Sequence, residues 1–156
     1  MPTPRQALTT VWADRLPITT ALGIAVAELD AQHLALTMPL TPNRNHKGTV
    51  FAGSLSALAT LTGWSVVWLA LREAGVSAHV VIQDAQIRYL APARSDVMAT
   101  AAFPDAATWQ RALNGLRRRG KARLTLGAAL RDVGGDVVAT FSGRYVMHTE
   151  AGEGQE

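Results

Sequence analysis

One stretch of this sequence constrains the fold more than any other, the run from Asn45 to Ala74, which reads NHKGTVFAGSLSALATLTGWSVVWLALREA. It begins as a polar turn and continues as a helical pattern that carries no charge between Gly48 and Leu71. A helix without a charged side has no face to present to water. We therefore expect the rest of the fold to surround this helix.

The same run is also long enough to be weighed as a membrane span, because about 20 apolar residues suffice to cross a bilayer. Three glycines and six hydroxyl side chains interrupt it: Gly48, Gly53, Gly63, Thr49, Ser54, Ser56, Thr60, Thr62 and Ser65. This content is too polar for lipid and suits a protein interior. The sequence therefore favours a buried core helix and no membrane partner.

The overall composition narrows the class of protein. The 156 residues, 48% of them hydrophobic, predict one domain over residues 1–150 and a disordered acidic tail at 151–156. With no cysteine, the chain has neither disulfides nor thiolate metal ligands. Asp14 and Arg15 interrupt the N-terminal segment where an export signal would be apolar, so a cytoplasmic protein is expected. A net charge of +3 is too balanced to indicate nucleic-acid binding.

The remaining patterns predict short helices and six strands around the central run. Helices are expected at 4–16, after Pro17, from a cap at Thr49, and from a cap at Asp105 to near Gly120. Strands are expected at 24–30, 34–40, 79–90, 97–103, 124–130 and 137–147, with a first hairpin around Ala31 and Gln32. Strands that do not alternate with helices indicate an α+β fold with a mostly antiparallel sheet, curved around the central helix.

Three segments carry a resemblance to a known family: NHKGTVFAGSLSALATLTGW, IRYLAPA and RRGKARLTL. They resemble the family of putative thioesterases typified by the C-terminal domain of the bacterial protein YiiD, over nearly the whole chain. The resemblance implies a hotdog fold, assembled as a dimer or a dimer of dimers, with acyl-thioester sites between the central helix and a neighbouring subunit. The predicted strand at 79–90 agrees with this, since an apolar edge strand needs a pairing partner.

The resemblance also indicates where a thioester carbonyl would bind. In related acyl-CoA thioesterases the pattern is Asn, two residues, Gly-Thr and then a His-Gly-Gly turn whose N–H groups hold the carbonyl oxygen. Four positions match it here: Asn45, Gly48, Thr49 and Gly53. Phe51 and Ala52 stand in place of the His and the first Gly. Asn45 and Gly53 are thus the predicted carbonyl-binding elements, and a helix cap without chemistry is the alternative.

The second catalytic element of those relatives, an Asp or Glu further along the helix, is missing. Ala59, Thr60 and Leu61 occupy the matching region, and the helix holds no carboxylate before Glu73. The nearest alternative is Asp84, which lies in the strand expected at the subunit interface and is predicted to position water. Its competing interpretation is an exposed residue paired with Arg88.

Other residues of the segment are predicted to contact substrate. Ser54 is interpreted as a pocket-lining residue rather than a nucleophile, because no G-x-S-x-G elbow is present. His46 either contacts substrate or caps the turn, and Phe51 and Ala52 are also predicted to contact substrate. The acyl chain is expected beside Phe51, Leu55, Trp64 and Trp68. No cysteine and no H-E-x-x-H spacing indicates a metal site.

A basic cluster follows the second amphipathic helix: Arg117, Arg118, Arg119, Lys121 and Arg123. Arginine forks match phosphate oxygens, so the cluster is either a docking patch for coenzyme A or acyl carrier protein, or a solvated helix end. Both interpretations stay open.

Together these observations predict an acyl-CoA or acyl-carrier-protein thioesterase that needs no cofactor, coenzyme A being part of the substrate. The alternative is a non-catalytic module on the same fold that binds acyl thioesters after losing the base.

Overall fold

The computed structural model describes residues 1–150, and the predicted acidic tail at 151–156 lies outside them. The helices are α1 Pro4–Arg15, α2 Ile18–Leu22, α3 Ala52–Glu73 and α4 Ala106–Arg119, with a 3-10 turn at Thr41–Asn43. The strands are β1 Ala25–Leu29, β2 His33–Met38, β3 His79–Tyr89, β4 Val97–Ala102, β5 Lys121–Asp132 and β6 Val137–His148. The predicted order of helices and strands is confirmed.

The strands form one sheet of six in the order β1-β2-β4-β5-β6-β3, and every neighbouring pair is antiparallel. The long strands β5 and β6 pair along almost their whole length, and both lie in the interior of the sheet. Strands β1 and β3 form its two edges. The antiparallel sheet predicted from the sequence is therefore present, and β3, with 11 residues, is the longer of its two edge strands.

Helix α3 lies against the inner face of this sheet and contacts strands β2 to β6. By length and composition alone it could cross a membrane, but 72% of its most apolar window is buried inside the fold. Two of its buried polar side chains have partners there, since the Thr62 hydroxyl donates to the Leu58 carbonyl and Ser65 Oγ accepts from the Trp12 indole. A curved antiparallel sheet wrapped around a long apolar helix is the hotdog fold.

The other helices close the core. A capping box between Thr3 and Gln6 starts α1, which buries Leu8 and Trp12 against α3. Asp105 caps α4 by accepting from the Thr108 N–H, and these hydrogen bonds hold the pKa of its carboxyl below the usual value. Helix α4 packs on β5, so its basic C-terminal turn lies where β5 begins.

Candidate functional site

The polar turn before α3 is organised by the side chain of Asn45. Its carbonyl oxygen accepts from the N–H groups of Lys47 at 2.9 Å and Thr49 at 3.1 Å, and its amide donates to Thr49 Oγ1 at 2.8 Å. Gly48 adopts a φ of 78°, a conformation that favours glycine. Because Thr49 is held within this turn, the predicted cap at Thr49 is wrong, and α3 begins three residues later at Ala52.

The backbone is fixed as far as the residue that precedes α3. The Val50 N–H donates to the Ala93 carbonyl at 2.9 Å, and the Phe51 N–H donates to the Asn43 carbonyl at 2.7 Å. Asn43 is itself buried and donates its amide to the carbonyls of Leu22 and Pro39. These bonds position the first turn of α3 rigidly against the sheet.

The N–H groups of Ala52 and Gly53 are left open. Phe51 makes no side-chain cap, and the first intrahelical bond runs from the Ser54 N–H to the Phe51 carbonyl, at 3.0 Å. Among residues 1–150, the N–H groups of Ala52 and Gly53 donate to no acceptor, and both residues are exposed. Two open N–H groups at the positive end of a 22-residue helix are suited to hold an oxygen atom that gains negative charge.

Two aromatic side chains flank these N–H groups. The Phe51 ring is 55% exposed and lies over Gly53, where an added Cβ would overlap the ring edge. The Tyr89 hydroxyl donates to the Ala52 carbonyl at 3.3 Å and remains half-exposed. In the sequence, Tyr89 belongs only to the alternating pattern of the strand at 79–90, so the sequence does not predict it as a site residue. Its position at the end of β3 acquires meaning only in the fold, which brings that end of the strand to the start of α3.

Of the other residues predicted to contact substrate, His46 lies at the surface and Ser54 in the interior. His46 is exposed, and the hydrogen bonds that close the turn are made by Asn45 instead. Ser54 is 7% exposed and is therefore buried, unlike the exposed residues Ala52 and Gly53. Asn45, Phe51, Ala52 and Gly53 are thus brought together at the surface, with His46 beside them.

Asp84 is not brought to this place. Tyr145 faces α3, because its hydroxyl donates to the Thr60 carbonyl at 2.7 Å, so its neighbour Arg144 points to the outer face of the sheet. Asp84 pairs with Arg144 across the β3–β6 ladder, and paired residues share a face. Asp84 therefore lies on the outer face, away from Ala52 and Gly53, and the prediction that it positions water there has no support from this geometry.

The basic cluster also lies away from the turn within one chain. Lys121 pairs with His148, and His148 with His79, which puts the cluster beside the first residue of β3. The Asn45 turn lies beside the last residue of that strand, Tyr89. The structure therefore places the two predicted substrate-binding regions at opposite ends of β3.

Two neighbouring cavities open at the end where β3 begins. The larger, about 940 Å³, is lined by Trp64, Trp68 and Val80 among others, and its two indoles stack with centroids 6.3 Å apart. The smaller, about 510 Å³, is lined by the three arginines of the α4 end, Arg117, Arg118 and Arg119. Thr149 lines both cavities. Arg123 is directed elsewhere and donates to Gln83 Oε1 at 3.0 Å.

Residues 1–150 contain no group of three or more His, Asp or Glu side chains that could hold a metal ion. The chemistry open to the site is therefore best described through its N–H groups, its aromatic walls and its arginines.

Comparisons with known proteins identify the family and the fold of the chain. The model of the family described as "Putative thioesterase (yiiD_Cterm)" matches residues 5–149. A putative thioesterase from Shewanella oneidensis is 34% identical with a TM-score of 0.84, over 94% of this chain and 98% of that one. A protein of unknown function from Chlorobaculum tepidum is 29% identical with a TM-score of 0.88, over 95% and 98%. A probable thioesterase from Pseudomonas aeruginosa is 26% identical with a TM-score of 0.80, over 95% and 97%.

Proposed function

Because the chain belongs to the putative thioesterase family typified by the C-terminal domain of YiiD, we propose that it hydrolyses acyl thioesters at the open start of α3. The observation that carries the proposal is the pair of exposed N–H groups on Ala52 and Gly53. The Asn45 turn holds them in place, and no side chain of residues 1–150 covers them with a hydrogen bond.

In this proposal the thioester carbonyl oxygen accepts hydrogen bonds from the two N–H groups. Attack by water turns that oxygen into an oxyanion, which the N–H groups and the helix dipole stabilise more strongly than they stabilise the neutral carbonyl. One donor of this kind contributes a factor of about 10²–10³ to the rate. The chain therefore supplies electrostatic stabilisation at the point where charge develops.

Helix α3 does not supply a carboxylate near the site to accept the proton of the attacking water, because it has none before Glu73 at its far end. The titratable side chains in or beside the turn include His46, Lys47 and Tyr89. The missing carboxylate is also the observation that favours the second candidate function, a module that binds acyl thioesters without turnover.

We further propose that the site belongs to a homodimer formed through β3. That strand is an edge strand of 11 residues, and three of the apolar side chains in and directly after it are about half exposed: Val81, Tyr89 and Leu90. An exposed edge of this length invites aggregation unless it is covered, and pairing with a symmetry-related copy covers it. The carrier is coenzyme A or acyl carrier protein.

The variant Ala52→Pro tests the catalytic role of the open N–H groups directly. Ala52 is the first helical residue, a position that accepts proline. Phe51 before it has φ −60° and ψ 134°, the extended conformation that suits a residue before proline, so the substitution introduces no strain. The variant removes one N–H and should fold normally, while kcat for acyl-CoA thioesters falls by about 10²-fold. Release of free thiol from a panel of acyl-CoA and acyl-carrier thioesters measures this.

The control is Ala52→Gly, which keeps the N–H and should keep most of the activity. An Ala52→Pro enzyme with wild-type kcat would show that the carbonyl binds elsewhere. Wild-type protein that binds acyl-CoA in calorimetry but releases no thiol would establish the binding module instead.

A further inference from the structure

We propose that the arginines at the end of α4 act in trans: Arg117, Arg118 and Arg119 of one subunit bind the phosphate groups of the carrier whose thioester lies at Ala52 and Gly53 of the partner subunit. This inference rests on the proposed function and names which subunit supplies each half of the site.

The first step is the separation of the two halves within one chain. Tyr89 at the end of β3 reaches the start of α3, whereas His79 at its beginning is joined through His148 to Lys121 and the arginine cluster. Ten residue steps of extended strand span roughly 33 Å. The turn and the cluster of one chain therefore lie too far apart to form a single compact site.

The second step is symmetry. Two copies of an edge strand that pair antiparallel bring the beginning of one strand beside the end of the other. If the full length of β3 is used, His79 of the partner subunit lies beside Tyr89. The cluster of the partner subunit then approaches the Asn45 turn, and the separation that excludes a site within one chain favours one across the interface.

The third step is the surface that would join the two halves. The cavity walled by Trp64 and Trp68 lies between the beginning of β3 and α3 of the same subunit. It meets the arginine cavity at Thr149, whose N–H donates to the Gly120 carbonyl at 3.0 Å. A carrier could therefore run from the partner's turn, past the indoles, to the arginines.

The chemistry of the smaller cavity fits phosphate. Within residues 1–150, its lining holds three arginines and no carboxylate, together with Val76, Leu116, Gly120 and Thr149. Guanidinium groups bind phosphate oxygens in pairs and stay charged at any physiological pH. The cavity thus has the charge and the donor geometry for the phosphates of coenzyme A or of a phosphopantetheine arm.

A competing arrangement exists within one chain. Arg44, Lys47 and Arg94 are exposed near the Asn45 turn, since Arg44 bridges to Val50 and Val50 bonds to Ala93. The Arg44 guanidinium is already engaged by the Thr41 carbonyl at 3.1 Å, however, whereas the three arginines of α4 surround an open cavity.

A heterodimer made from two defective chains tests the inference. One chain carries Ala52→Pro, and the other carries Arg117→Gln, Arg118→Gln and Arg119→Gln, each with its own affinity tag so that only the mixed dimer is purified. If the arginines act in trans, one of the two sites has an intact turn and intact arginines. The heterodimer should then show about half of the wild-type kcat/KM, because one of two symmetric sites is whole.

The parent homodimers supply the baseline. The triple arginine variant should raise KM for acyl-CoA by about tenfold or more, and the Ala52→Pro homodimer should be nearly inactive. A heterodimer that gains nothing over the triple variant would overturn the trans arrangement. So would a triple variant with unchanged KM, because the arginines would then have no role.

A second measurement does not depend on turnover. The chain contains no cysteine, so Lys47→Cys and Arg118→Cys can be introduced together as the only two thiols. A short bifunctional maleimide should convert this double variant into a covalent dimer on a denaturing gel, and neither single variant should respond as strongly. Absence of the covalent dimer would refute the arrangement. If the wild-type protein has no thioesterase activity but the covalent dimer forms, the proposed function fails while the trans geometry stands.

Discussion

Gly53 and Gly63 belong to the same helix and each lies against an aromatic ring, but the two glycines have different roles. An added Cβ at Gly53 would overlap the ring of Phe51, which is 55% exposed and can turn into water. An added Cβ at Gly63 would overlap the hydroxyl and ring of Tyr145, which is fully buried and bonded to the Thr60 carbonyl. The first glycine keeps a surface open, and the second allows helix and sheet to pack closely. One helix thus carries both the proposed site and the structural centre of the fold.

The largest expected effect is on stability, from Gly63→Ala. The new methyl group has no free space, because Tyr145 is held by its hydrogen bond and by the surrounding core. We expect the free energy of unfolding to fall by about 3 kcal/mol, the upper end of the usual cost of overpacking. Urea unfolding followed by circular dichroism measures this. Wild-type stability in this variant would mean that Tyr145 has room to move, and the contrast between the two glycines would disappear.

The matched change Gly53→Ala should spare the fold and affect activity. Alanine is favoured over glycine in a helix by about 0.5–1 kcal/mol, which offsets the displacement of an exposed ring. The displaced Phe51 ring would crowd the N–H groups of Ala52 and Gly53, so kcat/KM should fall by about tenfold. Kinetics and thermal unfolding on the same sample separate the two effects. A loss of stability as large as that of Gly63→Ala would contradict the different roles assigned to the two positions.

A smaller effect is expected from Tyr145→Phe, which sharpens the structural side of the comparison. Removing the hydroxyl loses one hydrogen bond to Thr60, worth about 1 kcal/mol at neutral pH. Burial raises the pKa of Tyr145 above its usual value of 10.0, so the folded protein keeps the proton where the unfolded chain releases it. That contribution to stability is present below pH 10 and is lost as the pH rises further.

Wild-type protein should therefore lose stability more steeply than Tyr145→Phe above pH 10. Urea midpoints measured from pH 7 to pH 11 test this difference. Parallel curves for the two proteins would show that Tyr145 ionises freely in the fold.

The smallest expected effect concerns Asp84→Asn. Asp84 lies on the outer face of the sheet, opposite Arg144, and a neutral amide of the same size fits there. We expect kcat and KM within about twofold of wild type, because Asp84 lies on the opposite face of β3 from Tyr89, which is the residue of that strand that reaches the start of α3. Thioesterase assays of the two proteins decide the matter. A large loss of kcat would reinstate the water-positioning role that the sequence predicts for Asp84.

The fold could be predicted from the sequence because its strongest signals are local and periodic. The uncharged run predicts a buried α3, and the alternation of residues in β2 and β6 predicts half-buried strands. The start of α3 could not be predicted from residue type alone. Thr49 is a good cap in isolation, but Asn45 engages both its N–H and its hydroxyl.

The candidate site was harder to predict because the positions of its residues depend on how the strands pair. An unbroken alternation along the sequence would place Val81, Ala85 and Tyr89 on one face of the strand and Asp84 on the other. The structure has an irregularity between Ile82 and Asp84, so Val81 pairs with Val146 on the outer face while Ala85 faces inward. The residue types of the strand do not predict a bulge of this kind. The distance between the turn and the arginines likewise follows only from the ladder that joins His79 to Lys121.

The burial of α3 has a consequence for the making of the protein. The ribosome completes residues 52–73 before any of strands β3 to β6 exists, so only β1 and β2 can cover the helix at that time. Until the second half of the chain is made, the nascent protein displays a segment that is apolar enough to enter a membrane. Long-range contacts form slowly, and exposed apolar surface in partly folded chains promotes aggregation. Truncation of this chain after residue 100 should therefore produce an insoluble product or one bound to chaperones, rather than a smaller folded domain.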